Sequence, residues 1–299
     1  MLSINIPVYN IEVAKLVKQL ILQVEKLELA FEIRVYDDCS TDEYKNRNRI
    51  ISEYSNVIYI ELKKNLGRSA IRNKMGADSK YKYLLFIDAD SEIIKSDYLE
   101  IFLNNIQSNR VLCGGTAYQK EKPIEPEKML RWFYGTNREA VSAKIRNSKK
   151  GFIITSNNFL IEKKVFKKIH FREEIKSYGH EDTLLGYDLF ENRIEIFHVE
   201  NPVKHTGLEN SEQFIEKTKV ALKSLFQITN ELLINENEFV EQVQFLNKYS
   251  RITKYIPALF FRLFYKSCHS IIEKNLLGKN PQMFLFDLYK LSFYSTLRQ

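Results

Sequence analysis

Glycine and proline together supply only 16 of 299 residues, and tryptophan occurs once. With 28% charged and 44% hydrophobic residues, that scarcity excludes a disordered or fibrous chain and leaves an ordered globular one with enough apolar mass for a large core. No apolar run reaches the roughly 18 to 20 residues that a membrane-crossing helix needs. Cysteine is limited to Cys39, Cys113 and Cys268, far apart and without metal-binding spacing. An odd, sparse count of this kind suits a reducing cytoplasm. The opening Met1-Leu-Ser-Ile-Asn-Ile-Pro7 lacks a basic leader and a small-residue cleavage site, so no signal peptide and a cytoplasmic location are expected. Internal repeats and low-complexity linkers are absent as well.

The net charge of +7 is unevenly placed. Residues 244–299 hold nine Lys and Arg against Glu273 and Asp287, which accounts for all of it; the first 243 residues balance. A neutral body with acidic strand ends argues against a nucleic-acid binder, because phosphate backbones demand a broad basic surface.

Along the first half, short β-rich runs alternate with helical patterns. Strands are expected at Leu2–Pro7, Glu32–Asp37, Val57–Glu61 and Tyr83–Asp88, and helices at Val13–Val24 and Arg68–Ala77. Farther on, a helix is expected over Glu125–Ala143, a strand over Phe152–Ile161, a short helix over Glu181–Asn192 and a strand over Ile194–Val199. From Asn210 the pattern is helical to the end, with a boundary placed near 215. Strand–helix alternation predicts an α/β fold around a mostly parallel sheet, whose ligands sit outside the carboxyl ends of the strands.

Five polar clusters fall at such ends. Asp88-Ala89-Asp90 closes an apolar strand; two carboxylates at this spacing can share a hard cation and its polyanion, and they equally suit an acidic loop with helix caps. In Asp37-Asp38-Cys39-Ser-Thr-Asp42 a carboxylate can accept the imide N–H of a uracil, while Ser40 or Asp42 caps the next helix. Gly67 permits a tight turn before Arg68 and Arg72, which one helical turn apart can face a diphosphate or simply solvent. Glu181-Asp182 opens a helix, as favourable dipole charge or as the site of a general base. His205 follows a strand, where a lone histidine is usually structural.

Taken in order, these clusters resemble family 2 glycosyltransferases of the GT-A fold, over roughly residues 1–215. Ile4-Asn-Ile-Pro7-Val-Tyr9-Asn10 is similar to that family's first strand and nucleotide-contacting turn. Asp37-Asp38-Cys-Ser-Thr-Asp resembles its Asp-Asp-Gly-Ser-Thr-Asp, with Cys39 replacing the usual glycine. Asn65-Leu-Gly67 through Arg72-Asn73 resembles its diphosphate-side helix, Asp88-Ala89-Asp90 its Asp-x-Asp, and Glu181-Asp182 its Glu-Asp. The resemblance implies a nucleotide-sugar donor, UDP-linked and leaning to Gal, GalNAc or GlcNAc, and a glycan or lipid-linked acceptor in surface polysaccharide or glycan synthesis. It implies a divalent metal, Mn²⁺ or Mg²⁺, on Asp90 and His205, and an inverting displacement with Asp182, or failing it Glu181, as base. Gly114, Gly115, Ser156 and Asn157 are candidates for donor-sugar choice.

A nucleotidyltransferase also uses acidic pairs and metal, but normally shows a Gly-rich basic loop after the first strand, where this chain has Pro7-Val-Tyr-Asn. A non-catalytic sugar-binding relative would not need its acids intact. The expected domains are a catalytic one over 1–215 and a basic, aromatic-rich helical extension over 216–299. Residues 244–299 carry 12 of the 38 aromatics, with Arg262, Lys266, His269 and Glu273 on one helical stripe. Such a tail can lie peripherally on the anionic inner face of the cell membrane, or serve as a packed extension or a homo-oligomer interface.

Overall fold

The computed structural model describes residues 1–149, 152–233 and 237–298. Residues 234–236 and Gln299, which belong to the expected extension, lie outside the described residues. The strands are β1 (Leu2–Val8), β2 (Phe31–Asp37), β3 (Val57–Glu61), β4 (Tyr83–Ile87), β5 (Ser91–Ile93), β6 (Arg110–Cys113), β7 (Thr116–Ala117), β8 (Asn158–Glu162), β9 (Glu195–His198) and β10 (Val203–His205).

The main sheet runs β3-β2-β1-β4-β8-β6-β9. β1 pairs in parallel with both β2 and β4, and β2 with β3. β8 is antiparallel to β4 and β6, and β9 returns parallel to β6. The result is an α/β fold with a mostly parallel central sheet. β1 and β2 are buried along almost their whole length, which explains why they read as continuous apolar runs. One face packs Leu16, Val17 and Leu20 of the helix Ala14–Val24 onto Ile4, Ile6, Val35 and Leu85. The other packs Ile71 and Met75 of the helix Arg68–Asp78 with Phe86, Phe159 and Phe166. Gly76 belongs to this second core, since a Cβ there would stand 2.3 Å from the Phe166 ring.

Two expectations need correction. Glu125–Ala143 is not one helix: a 3-10 turn at Pro126–Lys128 leads into Met129–Tyr134 and then a π turn at Gly135–Glu139. Thr136 Oγ1 donates to the Trp132 carbonyl (2.8 Å) and Asn137 Nδ2 to that of Phe133 (2.8 Å), so side chains take the acceptors that a regular helix would use. Within Phe152–Ile161 only the part from Asn158 onward pairs as a strand, because the chain leaves the sheet at Asn157, whose carbonyl accepts the Asp88 N–H (3.1 Å). Nothing in the sequence signals strands β5, β6, β7 and β10; β6, of four residues, joins the main sheet between β8 and β9, and β5, β7 and β10 stand apart from it. They form a second sheet, β5-β10-β7, too short for periodicity to reveal.

The chain forms two compact units. One comprises 1–118, 139–176 and 181–207; the other comprises 119–138, 177–180 and 208–299. The second unit has its own core, in which Leu130, Phe214, Ile215, Ile272, Leu276, Phe286 and Tyr289 pack together. The helices Ala258–Leu276 and Met283–Leu297 pair as a hairpin beside Ser211–Gln227. The stripe read on the tail is mostly occupied. Arg262 Nε donates to the Ser295 carbonyl (3.0 Å), Glu273 accepts the Tyr289 hydroxyl (2.5 Å), and His269 Nδ1 lies 2.9 Å from the Tyr265 carbonyl. Phe286, Tyr289 and Tyr294 are fully buried, so they serve as core residues. We expect Leu276→Ala to destabilise this unit by about 2–5 kcal/mol, the usual cost of truncating a fully buried leucine, measurable by denaturant unfolding. No helix among the described residues is long and apolar enough to cross a membrane.

Candidate active site

Every residue of the candidate site belongs to the first unit. Because β1, β2 and β4 are parallel neighbours, their carboxyl ends deliver Tyr9-Asn10, Asp37-Asp38 and Asp88 to one edge of the sheet. β8 runs the other way, so its amino end brings Asn157 and Asn158 to that same edge.

On the β1–β2 side, backbone and side chain close a compact loop cluster. Asp38 N–H donates to the Val8 carbonyl (2.7 Å), Asn10 N–H to Ser40 Oγ (2.8 Å), and Thr41 N–H to Asn10 Oδ1 (2.9 Å). Tyr9 is left exposed, and Pro7 is half-buried within β1. Asp37, fully buried, accepts the Ser40 N–H (2.6 Å) on one oxygen and the Tyr59 hydroxyl (3.4 Å) on the other. Asp38 accepts the N–H groups of Leu66 (2.7 Å) and Gly67 (3.0 Å). Both carboxylates therefore hold loops together. Gly67 has φ +83°, which a side chain would strain.

Cys39 has φ +67°, in the left-handed region that a glycine fills without penalty. Burdening that position with a Cβ costs about 1–2 kcal/mol, partly offset by the lower chain entropy of the unfolded cysteine form. We expect Cys39→Gly to raise the melting temperature slightly, by roughly 2 °C for a chain of this size, and Cys39→Ala to give no gain. Thermal unfolding of both variants checks this.

The helix Arg68–Asp78 places its two arginines differently. Arg72 is buried and donates from Nη2 to Asp88 Oδ1 (2.5 Å) and from Nη1 to the Arg68 carbonyl (3.0 Å), with its guanidinium 5.7 Å from the Phe171 ring centre. It braces Asp88. Arg68 is half exposed and reaches Glu181 Oε1 at 3.4 Å. Glu181 and Asp182 begin the helix Glu181–Glu191, where acidic charge suits the helix dipole. Burial works against the charge of Glu181, but Arg68 and Arg72 outweigh it and hold its pKa below the ordinary value. Asp182 goes the other way: burial, then the neighbouring Glu181 charge, push its pKa well above the usual carboxylate range, although its own oxygen accepts the Thr183 N–H (2.7 Å). Adjacent carboxylates driven apart in this manner divide their roles, one staying ionised and one able to exchange a proton near neutrality.

Asp90 lies in the turn between β4 and β5, behind the partly buried Ala89. The register of β10 against β5 sets His205 opposite Ser91, and His205 Nδ1 comes within 3.3 Å of Asp90 Oδ2. The N–H and hydroxyl of Thr206 both donate to the Asp90 carbonyl (2.8 Å each). Gly207 keeps this corner open, since a Cβ there would stand 3.2 Å from Asp90 Oδ2. The Tyr118 ring meets His205 edge-on at 5.5 Å. Among the described residues no group of three His, Cys, Asp or Glu converges as a metal-holding set. Asp90 and His205 supply two ligands of suitable type, an arrangement that leaves coordination positions for oxygens of a bound polyanion and water.

Sequence reasoning missed the supports. Asn158, fully buried, accepts the Tyr98 hydroxyl (2.7 Å) and donates to the carbonyls of Gly115 and Asn201 (2.9 Å each). Buried Arg146 donates to the carbonyls of Cys113 (3.2 Å), Gly114 (3.0 Å) and Val199 (3.1 Å), and its Nη1 lies 2.7 Å from His198 Nδ1. Burial and the Arg146 charge push the His198 pKa down to about 4, which keeps that ring neutral. Gly114 and Gly115 are thereby accounted for as close-packing positions, since a Cβ on either would run into Asn158 or Arg146. A lone arginine in a polar stretch carries no sequence signal for such a role. Asn157 donates to Thr116 Oγ1 (2.8 Å), while its Oδ1 is buried without a protein partner.

Solved structures with the same architecture are GT-A glycosyltransferases. The mannosyltransferase PcManGT from Pyrobaculum calidifontis, in complex with GDP-Man and Mn²⁺, superposes with a TM-score of 0.64 at 12% identity, covering 99% of this chain and 86% of that one. A 1–349 fragment of S. aureus TarS matches with a TM-score of 0.51 at 19% identity, over 99% and 91% of the two chains. The same fragment in complex with UDP gives 0.50 at 20%, over 99% and 89%. At these identities the likeness establishes the fold, GT-A with a helical extension. The sequence model described as Glycosyl transferase family 2 matches residues 3–170, more than half of the chain, and the chain belongs to that family. The match ends before Glu181, Asp182 and His205. No curated protein matches the chain.

Proposed function

We propose that this glycosyltransferase moves a hexose or N-acetylhexosamine from a UDP-linked donor to a hydroxyl of a glycan or lipid-linked acceptor, by a single inverting displacement with Asp182 as general base. The observation that carries this reading is the Glu181–Asp182 pair. Glu181 is held ionised by Arg68 and Arg72, and Asp182 is raised toward the range where a base can take up a proton. The ionised Glu181 beside it favours the protonated form that Asp182 reaches as the acceptor oxygen attacks.

On the donor side, the loop cluster of Pro7, Tyr9, Asn10, Asp37, Asp38 and Gly67 shapes the nucleotide seat through the hydrogen bonds already described, with exposed Tyr9 at its rim. Arg72 holds Asp88 toward the ribose and phosphate side, and Arg68 shares its charge between Glu181 and the diphosphate. Asp90 and His205 would hold a divalent cation, Mn²⁺ or Mg²⁺, which when bound neutralises charge on the departing nucleoside diphosphate. Asn157, whose backbone carbonyl accepts the Asp88 N–H and whose side-chain Oδ1 is buried without a protein partner, is the position at which a donor hydroxyl is read.

A thermal-shift screen of UDP- and GDP-sugars with and without Mn²⁺ tests the reading. A matched donor at about 100 times its Kd adds roughly 2.7 kcal/mol of stability. We expect UDP-hexose or UDP-N-acetylhexosamine to stabilise the protein and to be slowly hydrolysed, both only with the metal. Stabilisation without any hydrolysis or transfer would leave a binding protein, and preference for GDP-sugars would overturn the donor assignment.

A further inference from the structure

Of eighteen large hydrophobic side chains exposed among the described residues, eight fall between Tyr255 and Phe284. Thirty residues thus hold nearly half of them, so the exposure is a feature of this part of the fold. The helix Ala258–Leu276 explains how. Its inward side gives Phe261, Ile272 and Leu276 to the core, with Phe264, Tyr265 and Cys268 beside them. Its exposed residues, Leu259, Phe260, Leu263, Lys266, Ser267, Ser270, Ile271 and Lys274, all lie within an arc of about 140° at 3.6 residues per turn. The outer face is therefore apolar at its start and basic and hydroxylated farther on. Tyr255, 87% exposed, extends the apolar end.

The exposed charge of the segment that carries this face has one sign. Arg251, Lys254, Lys266, Lys274 and Lys279 are all exposed. Between 244 and 298 the acids are only Glu273 and Asp287, and both are committed. Glu273 accepts the Tyr289 hydroxyl and faces Lys219 (3.4 Å); Asp287 is shared by Arg138 (3.0 Å), Lys248 (3.6 Å) and Lys290 (3.0 Å). A two-fold contact between copies of this face would set cations against cations, which disfavours self-association.

We infer that this face docks on an anionic lipid bilayer, with Tyr255, Leu259, Phe260 and Leu263 entering the interface and the exposed cations lying over the headgroups. Basic side chains near such a surface attract it through a salt-screened field, and the apolar side chains add a part that salt does not remove. The inference is independent of the donor and catalytic assignments.

The test is flotation of the full chain with vesicles of phosphatidylcholine alone or with 30% phosphatidylglycerol, a composition set by the experiment, in low and high salt. The full chain is used because removing residues beyond 243 would strip Ile272, Leu276, Phe286 and Tyr289 from a core. Binding is expected only with the anionic lipid and is expected to weaken with salt. Lys254→Glu with Lys266→Glu lowers the partition coefficient by at least about 25-fold, about fivefold for each positive charge lost. Leu259→Ser with Phe260→Ser weakens binding that persists in high salt. All four side chains are exposed, so circular dichroism and melting temperature should match the wild type. Absence of wild-type binding to anionic vesicles overturns the inference. So does unchanged vesicle binding by the serine variant together with conversion of an oligomer to a monomer in sedimentation, which assigns the face to a second copy.

Discussion

Asp182→Asn is expected to lower turnover by about 10²- to 10⁴-fold while leaving UDP affinity nearly unchanged, the range typical for loss of a general base. The amide keeps the shape and the contact to the Thr183 N–H but cannot take the acceptor's proton. The pH profile gives an independent reading. Burial and Glu181 raise the pKa of Asp182, so the carboxylate required by the proposed base step is lost as pH falls through a range well above that of an ordinary aspartate. The acid limb of kcat should lie there in the wild type. The stability sign is opposite to that of a salt-bridged acid. A folded-state pKa above the unfolded one means the fold prefers the protonated form, so Asp182 destabilises the protein as pH rises through its folded pKa. Asp182→Asn removes that cost, and at neutral pH its melting temperature should equal or exceed the wild-type value. A fall in UDP affinity with kcat intact would make Asp182 a binding residue and transfer the base role to Glu181.

Asp90→Ala is expected to abolish Mn²⁺-dependent donor binding and, with it, turnover. Even outer-shell partners of a bound metal are worth about 10- to 100-fold in affinity, so loss of the carboxylate proposed as a ligand should exceed about 100-fold. His205→Ala should act in the same direction, because the short strand β10 holds its ring against Asp90. Mn²⁺ affinity measured by electron paramagnetic resonance in the presence of UDP separates metal loss from misfolding. Full activity of Asp90→Ala, or of the wild type in excess chelator, would remove the metal from the reaction altogether.

Much of the catalytic unit was legible because its strands are long enough to show their burial. Val57–Glu61 matched its expected limits, and Leu2–Val8, Phe31–Asp37 and Tyr83–Ile87 came within a residue of theirs, each being an apolar run closed by a polar turn. The apolar sides of the helices Ala14–Val24 and Arg68–Asp78 were visible in their 3.6-residue spacing for the same reason. The strands β5, β7 and β10, of two or three residues each, carry no period at all, yet they set the Asp90–His205 pair.

The sequence by itself determined the α/β class, the order of the acidic clusters and the position of Asp37-Asp38 and Asp88-Ala89-Asp90 at carboxyl ends of strands, since alternation and turn chemistry are local properties of the chain; Glu181-Asp182 instead opens a helix after a loop. Only the tertiary structure decided which charges face one another. Arg68 and Arg72 are one turn apart on the same helix, and nothing local distinguishes them; packing buries the second on Asp88 and leaves the first to reach Glu181, 113 residues away. Likewise Asp37 and Asp38 look equivalent in sequence, but loop closure turns one toward Ser40 and the other toward the backbone of Leu66 and Gly67. In the tail, composition could count the aromatics but could not divide them. The helical hairpin sends Phe286, Tyr289 and Tyr294 inward and leaves Tyr255, Phe260 and Phe284 outside, because only side chains on the facing sides of packed helices can share a core.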